Sequence, residues 1–178
     1  MPLGAELEAT TEVLGFQRIW ARRRAECRLP DGELAAWVET DWVVLDDRGR
    51  LARVPAELVN RFKTPPLPTP LLRVPQVTPP DGVATRTLEV RRQDLDPMNH
   101  ANNAVFVDWV EEALDGLDGA AGPRRRFRIE FAAAATLGMT LAAAAWPADE
   151  DGAWHVRLTA ADETVVLRAL VEHGEADR

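Results

Sequence analysis

The stretch from Asp94 to Asp115 constrains the fold of this chain more than any other part of the sequence. It begins as a polar segment in which Pro97 disfavours helical geometry at the residue before it, so no helix can run through this point. From Val105 onward, apolar residues recur at helical spacing on one broad face, and acidic residues take most of the opposite face. The pattern predicts a tight turn and then a helix capped by Asn99 or Asn102, because an Asn side chain accepts hydrogen bonds from free N–H groups. A helix with so broad an apolar face must be enclosed by other elements of its domain.

Composition and charge exclude several classes of protein. A chain of 178 residues, 46% of them hydrophobic, can bury a core as a globular protein. Its formal net charge of −8 repels a phosphate backbone, so we expect no nucleic-acid partner. Cys27 is the only cysteine, which leaves no disulfide framework and favours a reducing, cytoplasmic location. No apolar run approaches the roughly 18 residues that cross a bilayer, and the first residues lack the features of a signal peptide, so we expect no membrane partner.

Residues 1–62 predict three strands and one short helix. The strands are expected at residues 6–15, 19–29 and 34–45, and a Pro-Asp-Gly turn signal joins the last two. Alternation in the second strand puts Cys27 on an apolar face, where it is interpreted as a packing residue, and Arg22 on a face exposed to solvent. Pro55 stands at a position that favours helix initiation, and the helix is expected over Ala56–Phe62.

Residues 63–82 mark the boundary between two halves of the chain. Seven prolines within this segment exclude a helix or a sheet interior and favour an extended polyproline strap. Residues 83–173 then predict a strand at 83–93, the turn and helix described above, and four more strands. A long helix followed by consecutive antiparallel strands indicates an α+β unit whose sheet curls around the helix. We therefore expect a partial N-terminal unit at 1–62, a linker at 63–82 and a complete unit at 83–173.

A weak internal repeat relates the two halves. The matched residues, which keep one constant separation along the chain, are Gly4, Leu7 and Trp20 in the first half and Gly138, Leu141 and Trp154 in the second. Nothing before Gly4 corresponds to the first strand and long helix of the second half. The chain is thus interpreted as one complete strand-helix-sheet unit preceded by the tail of another that lacks its helix.

The segment from Asp94 to Ala113 resembles the motif of hotdog-fold thioesterases. Its Asp-Leu-Asp, His-Ala-Asn-Asn and Asp-Trp-Val-Glu-Glu-Ala elements look most like the C-terminal hotdog of acyl-ACP thioesterases. The segment from Trp42 to Leu58 is similar to the end of the N-terminal hotdog of the same family, and the proline-rich strap fits between the two. The resemblance implies a double hotdog with a truncated first repeat, hydrolysis of acyl-ACP or acyl-CoA thioesters in fatty acid biosynthesis, and no metal or redox cofactor.

The sequence departs from the family pattern at two places near the expected site. The family places an Asn two residues before the His, whereas here Met98 takes that position and Asn99 directly precedes His100. The plant-type enzymes carry a Glu-Cys pair in the next strand, whereas here the corresponding segment is Ala132–Ala135. Asp96, by contrast, stands where hydroxybenzoyl-CoA-type hotdog thioesterases have their nucleophilic or basic carboxylate.

We hypothesise that Asp96 attacks the thioester carbonyl or activates a water molecule. His100 would orient that water or protonate the leaving thiolate, and Asn99 or Asn102 would hold the donor geometry. Free N–H groups near Asn102 and Asn103, at the start of the helix, would polarise the carbonyl. The alternative is that Asp96 and the asparagines only build the turn between strand and helix, as Asp and Asn commonly do.

Two further functional classes stay open. The alanines at 132–135 favour a catalytically degenerate protein that binds acyl chains or acts as a scaffold. A hotdog dehydratase or hydratase would also use a His and a carboxylate at a helix start, although its characteristic motif is not visible. His155 and His173 lack ligand-like spacing, so no metal site is expected. Exposed strand edges on the partial sheet would invite pairing with another chain, so we expect a homodimer that acts on acyl carrier protein or CoA thioesters.

Overall fold

The computed structural model describes residues 4–68, 70–117, 120, 124–149 and 152–174. The chain forms two compact units, Met1–Leu72 and Arg73–Arg178, whose boundary lies within the proline-rich segment. Side chains of the proline-rich segment also contribute to the packing of the units. Leu67 is buried in the first unit, and Val74 packs with Ala153 and Leu170 in the second.

The first unit is a three-stranded antiparallel sheet with one short helix. Its elements are β1 (Glu8–Phe16), β2 (Trp20–Arg28), β3 (Leu34–Val43) and α1 (Ala56–Phe62). The strands lie in the order β1-β2-β3, and the predicted helix is confirmed at both ends. A β-bulge interrupts β1 between Val13 and Gly15, and a Cβ added at Gly15 would come within 2.6 Å of the Pro65 carbonyl oxygen. Glycine is therefore needed where the proline-rich segment crosses β1.

The predicted solvent-facing position of Arg22 is wrong. Its side chain is 5% exposed, and its Nε donates to Asp41 Oδ1 at 2.6 Å. A terminal nitrogen donates to Asp41 Oδ2 at 2.8 Å and to the Pro70 carbonyl oxygen at 3.1 Å. The Leu72 N–H also donates to Asp41 Oδ2 at 2.9 Å. Arg22 and Asp41 form a bidentate ion pair, and their hydrogen bonds to Pro70 and Leu72 hold the proline-rich segment against the sheet at this point.

The second unit is a five-stranded antiparallel sheet that carries a long helix. Its elements are β4 (Thr85–Glu89), a 3-10 helix (Arg92–Asp94), α2 (Asn103–Leu114), β5 (Arg124–Phe131), β6 (Thr140–Pro147), β7 (Ala153–Ala160) and β8 (Val165–Gly174). The strand order β4-β6-β7-β8-β5 places the strand before the helix beside β6 and the strand after the helix at the other edge. The expected α+β unit, in which an antiparallel sheet packs around a long helix, is confirmed.

The core of the second unit lies between α2 and the sheet. Buried side chains recur along α2 at Phe106, Trp109, Val110, Ala113 and Leu114. They pack against small and branched residues on the strands. Ala143 and Ala145 of β6 belong to the same core cluster, and their small side chains suit a sheet face that packs on the aromatic side chains of α2. The rings of Phe106 and Trp109 meet edge to face with centroids 5.1 Å apart. In the described part of the chain, no helix is long and apolar enough to cross a membrane.

Candidate active site

A closed turn connects the 3-10 helix to α2. Leu95 and Ala101 face each other in an antiparallel bridge, and within it the Asp96 N–H donates to the His100 carbonyl oxygen at 2.8 Å. The Asn99 N–H donates to the Asp96 carbonyl oxygen at 3.0 Å, and the backbone of Asn99 is left-handed with φ +61°. Asn tolerates this conformation better than most residues, so the sequence is locally matched to the turn.

The Asp96 side chain is half-buried and held by the same turn. Its Oδ1 accepts hydrogen bonds from the backbone N–H of Met98 at 2.8 Å and of His100 at 3.2 Å. Its Oδ2 has no hydrogen-bond partner within the described residues. One carboxylate oxygen is therefore oriented by the backbone while the other stays open to a ligand, which is the arrangement a general base or nucleophile requires.

An open cleft of about 600 Å³ lies beside this carboxylate. Residues on its walls include Asp96, Asn99, His100, Arg92, Met98 and Leu137. The structure thus brings together Asp96, Asn99 and His100, which the sequence proposed as catalytic. Asn102 and Asn103 do not line it. Their predicted role as carbonyl-polarising residues, like the predicted roles of the first three, stays a prediction.

Asn102 is the N-cap of α2, which settles the choice that the sequence left between Asn99 and Asn102. Its Oδ1 accepts from the Ala104 N–H at 2.9 Å. The N–H groups of Val105 and Phe106 donate to the Asn102 carbonyl oxygen. At the start of α2, the N–H of Asn103 is the one backbone donor without an acceptor among the described residues, so the helix offers a ligand one N–H group.

Asp94 is a structural residue that the sequence interpretation did not single out. It is 3% exposed, and its Oδ2 accepts from the Arg91 backbone N–H at 2.7 Å. The Arg91 guanidinium donates to both carboxylate oxygens at 3.2 Å. Burial alone would raise the pKa of Asp94, but the hydrogen bonds from Arg91 outweigh it and hold the pKa below its usual value. The available sequence signal was an acidic residue three positions after Arg91, the residue that caps the 3-10 helix.

Within the segment Ala132–Ala135, Ala135 supports the turn through its main chain, whereas the N–H groups of Ala132 and Ala133 donate to Val166. The Ala101 N–H donates to the Ala135 carbonyl oxygen at 2.8 Å, and Ala135 is completely buried. No side chain from this segment can replace the Glu-Cys pair that the plant-type enzymes carry at the corresponding position. Across the described ranges, no group of three or more His, Cys, Asp or Glu residues is placed to hold a metal ion.

The second unit matches a known protein family. Residues 78–160 match the model of the acyl-ACP thioesterase C-terminal domain. The chloroplastic oleoyl-acyl carrier protein thioesterase 2 of Arabidopsis thaliana is 28% identical, over a match that covers 57% of this chain and 30% of that protein. The match therefore spans less than a third of the length of this relative.

Two solved structures share the fold. The 12:0-ACP thioesterase from Umbellularia californica has a TM-score of 0.74 and 20% identity, covering 93% of this chain and 66% of its own. An acyl-ACP thioesterase from Bacteroides thetaiotaomicron VPI-5482 has a TM-score of 0.71 and 17% identity, covering 92% of this chain and 67% of its own. Similarity at these identities establishes the fold. Together with the family match, this similarity of fold confirms the resemblance to acyl-ACP thioesterases that the segment from Asp94 to Ala113 indicated.

Proposed function

We propose that this chain, a relative of the hotdog-fold acyl-ACP thioesterases, hydrolyses fatty acyl thioesters of acyl carrier protein or CoA in fatty acid biosynthesis. The observation that carries the proposal is the position of Asp96. Its carboxylate has one oxygen fixed by two backbone N–H groups and the other open, and it lines a cleft of about 600 Å³ together with His100. Thioester hydrolysis needs an activated oxygen nucleophile and a proton for the departing thiolate. Asp96 can attack or activate water, and His100 can pass the proton.

In the water-mediated route, Asp96 takes a proton from a water molecule while the water oxygen bonds to the carbonyl carbon. The carbonyl π electrons move to oxygen, and the tetrahedral intermediate then re-forms the carbonyl and expels the thiolate. The thiolate takes up the proton from Asp96 or through His100. In the covalent route, Asp96 itself bonds to the carbonyl carbon, and water then hydrolyses the resulting anhydride. Both routes end in a free fatty acid and a thiol.

A thiol-release assay on a panel of acyl-CoA and acyl-ACP substrates tests this proposal. We expect Asp96→Asn to remove at least 99% of the turnover, because the amide keeps the Oδ1 acceptor of the turn but cannot accept the proton. Asp108→Asn is the matched control, since Asp108 is exposed on α2 and its substitution changes the charge by the same amount. Turnover that survives Asp96→Asn in a folded protein would remove Asp96 from the mechanism.

A catalytically degenerate acyl-binding protein is the second candidate. The observation that favours it is the run Ala132–Ala135, which contributes one main-chain hydrogen bond, from Ala135, and no reactive side chain to the site. This candidate predicts affinity for acyl-CoA without thiol release. A dehydratase, the remaining candidate, would instead form an alkene from a 3-hydroxyacyl thioester, which mass spectrometry of the product detects.

The proposal also includes a cytoplasmic location and a homodimer. In the first unit the ordered sheet ends at β1 on one side and β3 on the other, and exposed edges of this kind pair readily with another chain. Light scattering coupled to size-exclusion chromatography would give the mass directly. A single-chain mass at micromolar concentration would contradict the dimer.

A further inference from the structure

Arg92 and Asp96 carry opposite charges on the walls of one cleft, and they do not pair with each other. Arg92 is exposed and makes no ion pair or side-chain hydrogen bond with any described residue. Two other arginines nearby in the sequence, by contrast, form ion pairs. Arg91 pairs with Asp94 at 3.2 Å, and Arg86 pairs with Glu112 at 3.0 Å. Among the described residues, Arg92 is therefore an unpaired cation on the same cleft as Asp96, whose carboxylate is itself only partly hydrogen-bonded.

The cleft lined by Arg92 and Asp96 has the chemical groups that a polarised carbonyl needs. A thioester carbonyl bound in this cleft would find both a proton acceptor, Asp96, and an array of N–H donors, Arg92, among the lining residues. A guanidinium presents five donors in a planar fork, and its attraction for negative charge increases when a ligand displaces water from the cleft. The start of α2 offers less, because the Asn103 N–H is its one free donor and Asn103 does not line the cleft.

We propose that Arg92 is the anion-binding residue of the cleft and stabilises the carbonyl oxygen of the thioester as it gains negative charge. The inference rests on the proposed thioesterase function and places oxyanion stabilisation on a side chain instead of on the helix N–H groups. When the nucleophile adds to the carbonyl carbon, the π electron pair moves to oxygen and the guanidinium donates hydrogen bonds to it. No proton leaves Arg92, and the pair returns to re-form the carbonyl when the thiolate departs.

The same guanidinium fits the product of the reaction. A fatty acid carboxylate matches the fork of arginine with two parallel hydrogen bonds, whereas a fatty alcohol of the same length offers one neutral oxygen. The cleft therefore selects a carboxylate over an alcohol if Arg92 is its anion site. This preference can be measured without turnover, because it depends on binding alone.

The kinetic test compares Arg92→Gln, Arg92→Lys and Arg126→Gln on two octanoyl thioesters, one of CoA and one of N-acetylcysteamine, which lacks phosphate. Arg126 is a matched control because it is an exposed arginine on β5 that does not line the cleft. We expect Arg92→Gln to lower kcat by about 10²- to 10³-fold on both substrates, as loss of an oxyanion donor does elsewhere, with KM nearly unchanged. Arg92→Lys should recover part of kcat, and Arg126→Gln should match the wild type.

Two kinetic results would overturn the assignment. A raised KM for octanoyl-CoA alone would mean that Arg92 binds the phosphates of the carrier. Equal kcat in Arg92→Gln and wild type would mean that it has no part in the reaction.

Calorimetric binding of octanoate and 1-octanol separates this inference from the proposed function. We expect Arg92→Gln to weaken octanoate at least fivefold and to leave octanol unchanged. If the wild type hydrolyses no thioester but shows this pattern, the anion site stands and the enzyme proposal fails. If octanoate binds equally well to Arg92→Gln, the anion site fails whatever the turnover.

Discussion

The backbone N–H of Asn102 donates a hydrogen bond to the carbonyl oxygen of Asp94 at 2.8 Å. This bond joins the end of the 3-10 helix to the cap of α2 and closes the turn that carries Asp96. Because Asp94 and Asn102 are each held by a second interaction, the geometry around Asp96 depends on two residues that do not line the cleft. Stability measurements on variants of Asp94 and Asn102 therefore test how firmly the turn that carries Asp96 is held.

Replacing Asp94 with Asn should destabilise the protein in a pH-dependent way. The lowered pKa of Asp94 means that its carboxylate stabilises the folded state above the ordinary Asp pKa of about 3.9, and that this contribution is lost as the pH falls through the lowered value. At pH 7 we expect a loss of about 1–2 kcal/mol in the free energy of unfolding by urea. The difference between the variant and the wild type should shrink below pH 4. A pH-independent difference would contradict the role assigned to the charge.

Asn102→Ala should cost about 1 kcal/mol of unfolding free energy, which is typical of a lost N-cap. The Oδ1 acceptor for the Ala104 N–H disappears, and alanine has no replacement for it. Asn103→Ala is the matched control, since Asn103 is exposed and makes no side-chain hydrogen bond in the described structure. Chemical denaturation of both variants measures the effect. Equal losses at the two positions would show that the cap contributes nothing specific.

Breaking the ion pair between Arg22 and Asp41 should be far more costly than removing both partners. Both side chains are nearly inaccessible, at 5% and 7% exposure, so Asp41→Ala would remove the bidentate partner of a buried guanidinium and leave the more distant Glu39 carboxylate at 4.0 Å. We expect a loss of about 3–5 kcal/mol for this single change. The double variant Arg22→Met with Asp41→Leu should be close to the wild type, because it buries no uncompensated charge. Thermal unfolding of the three proteins checks the order, and a double variant as unstable as the single one would refute it.

His173 should make the protein less stable as the pH falls below about 6.5, the ordinary His pKa. Burial, and then the charge of Arg125, lower the pKa of His173, and neither ring nitrogen has a hydrogen-bond partner among the described residues. The unfolded chain therefore takes up a proton at a higher pH than the folded chain, so unfolding is favoured on acidification through this range. His173→Leu should remove this slope in urea unfolding between pH 7.5 and 5. A slope unchanged by the substitution would assign it to other groups.

The helices were the most predictable elements because their signals are local. Periodicity located α2, and Pro55 marked the start of α1, without reference to any other part of the chain. The burial of Arg22 was not predictable, because its partner Asp41 lies on the next strand and alternation alone does not report strand register. The predicted strand at 83–93 in fact ends at Glu89, because hydrogen bonds to the Asp94 carboxylate bend the chain into a 3-10 helix.

The candidate site was predictable only in part. Asp96, Asn99 and His100 lie within five residues of one another, so a turn was enough to bring them together. Arg92 became visible only in the folded chain, where it lines the cleft together with Thr136 and Leu137 from a distant part of the sequence. Sequence spacing carries no information on which of two neighbouring arginines faces a cleft and which faces a buried acid.

The left-handed backbone at Asn99 explains the order of residues before His100. Exchanging Met98 and Asn99 would restore the family's spacing, but it would require a methionine to adopt φ +61°, which L-residues with long side chains rarely do. Met98 is 73% exposed and tolerates change readily, so the barrier lies wholly at the second position. The handedness of the main chain thus restricts where this loop can hold a methionine, and a redesign that restores the family's spacing would first have to change the backbone conformation at position 99.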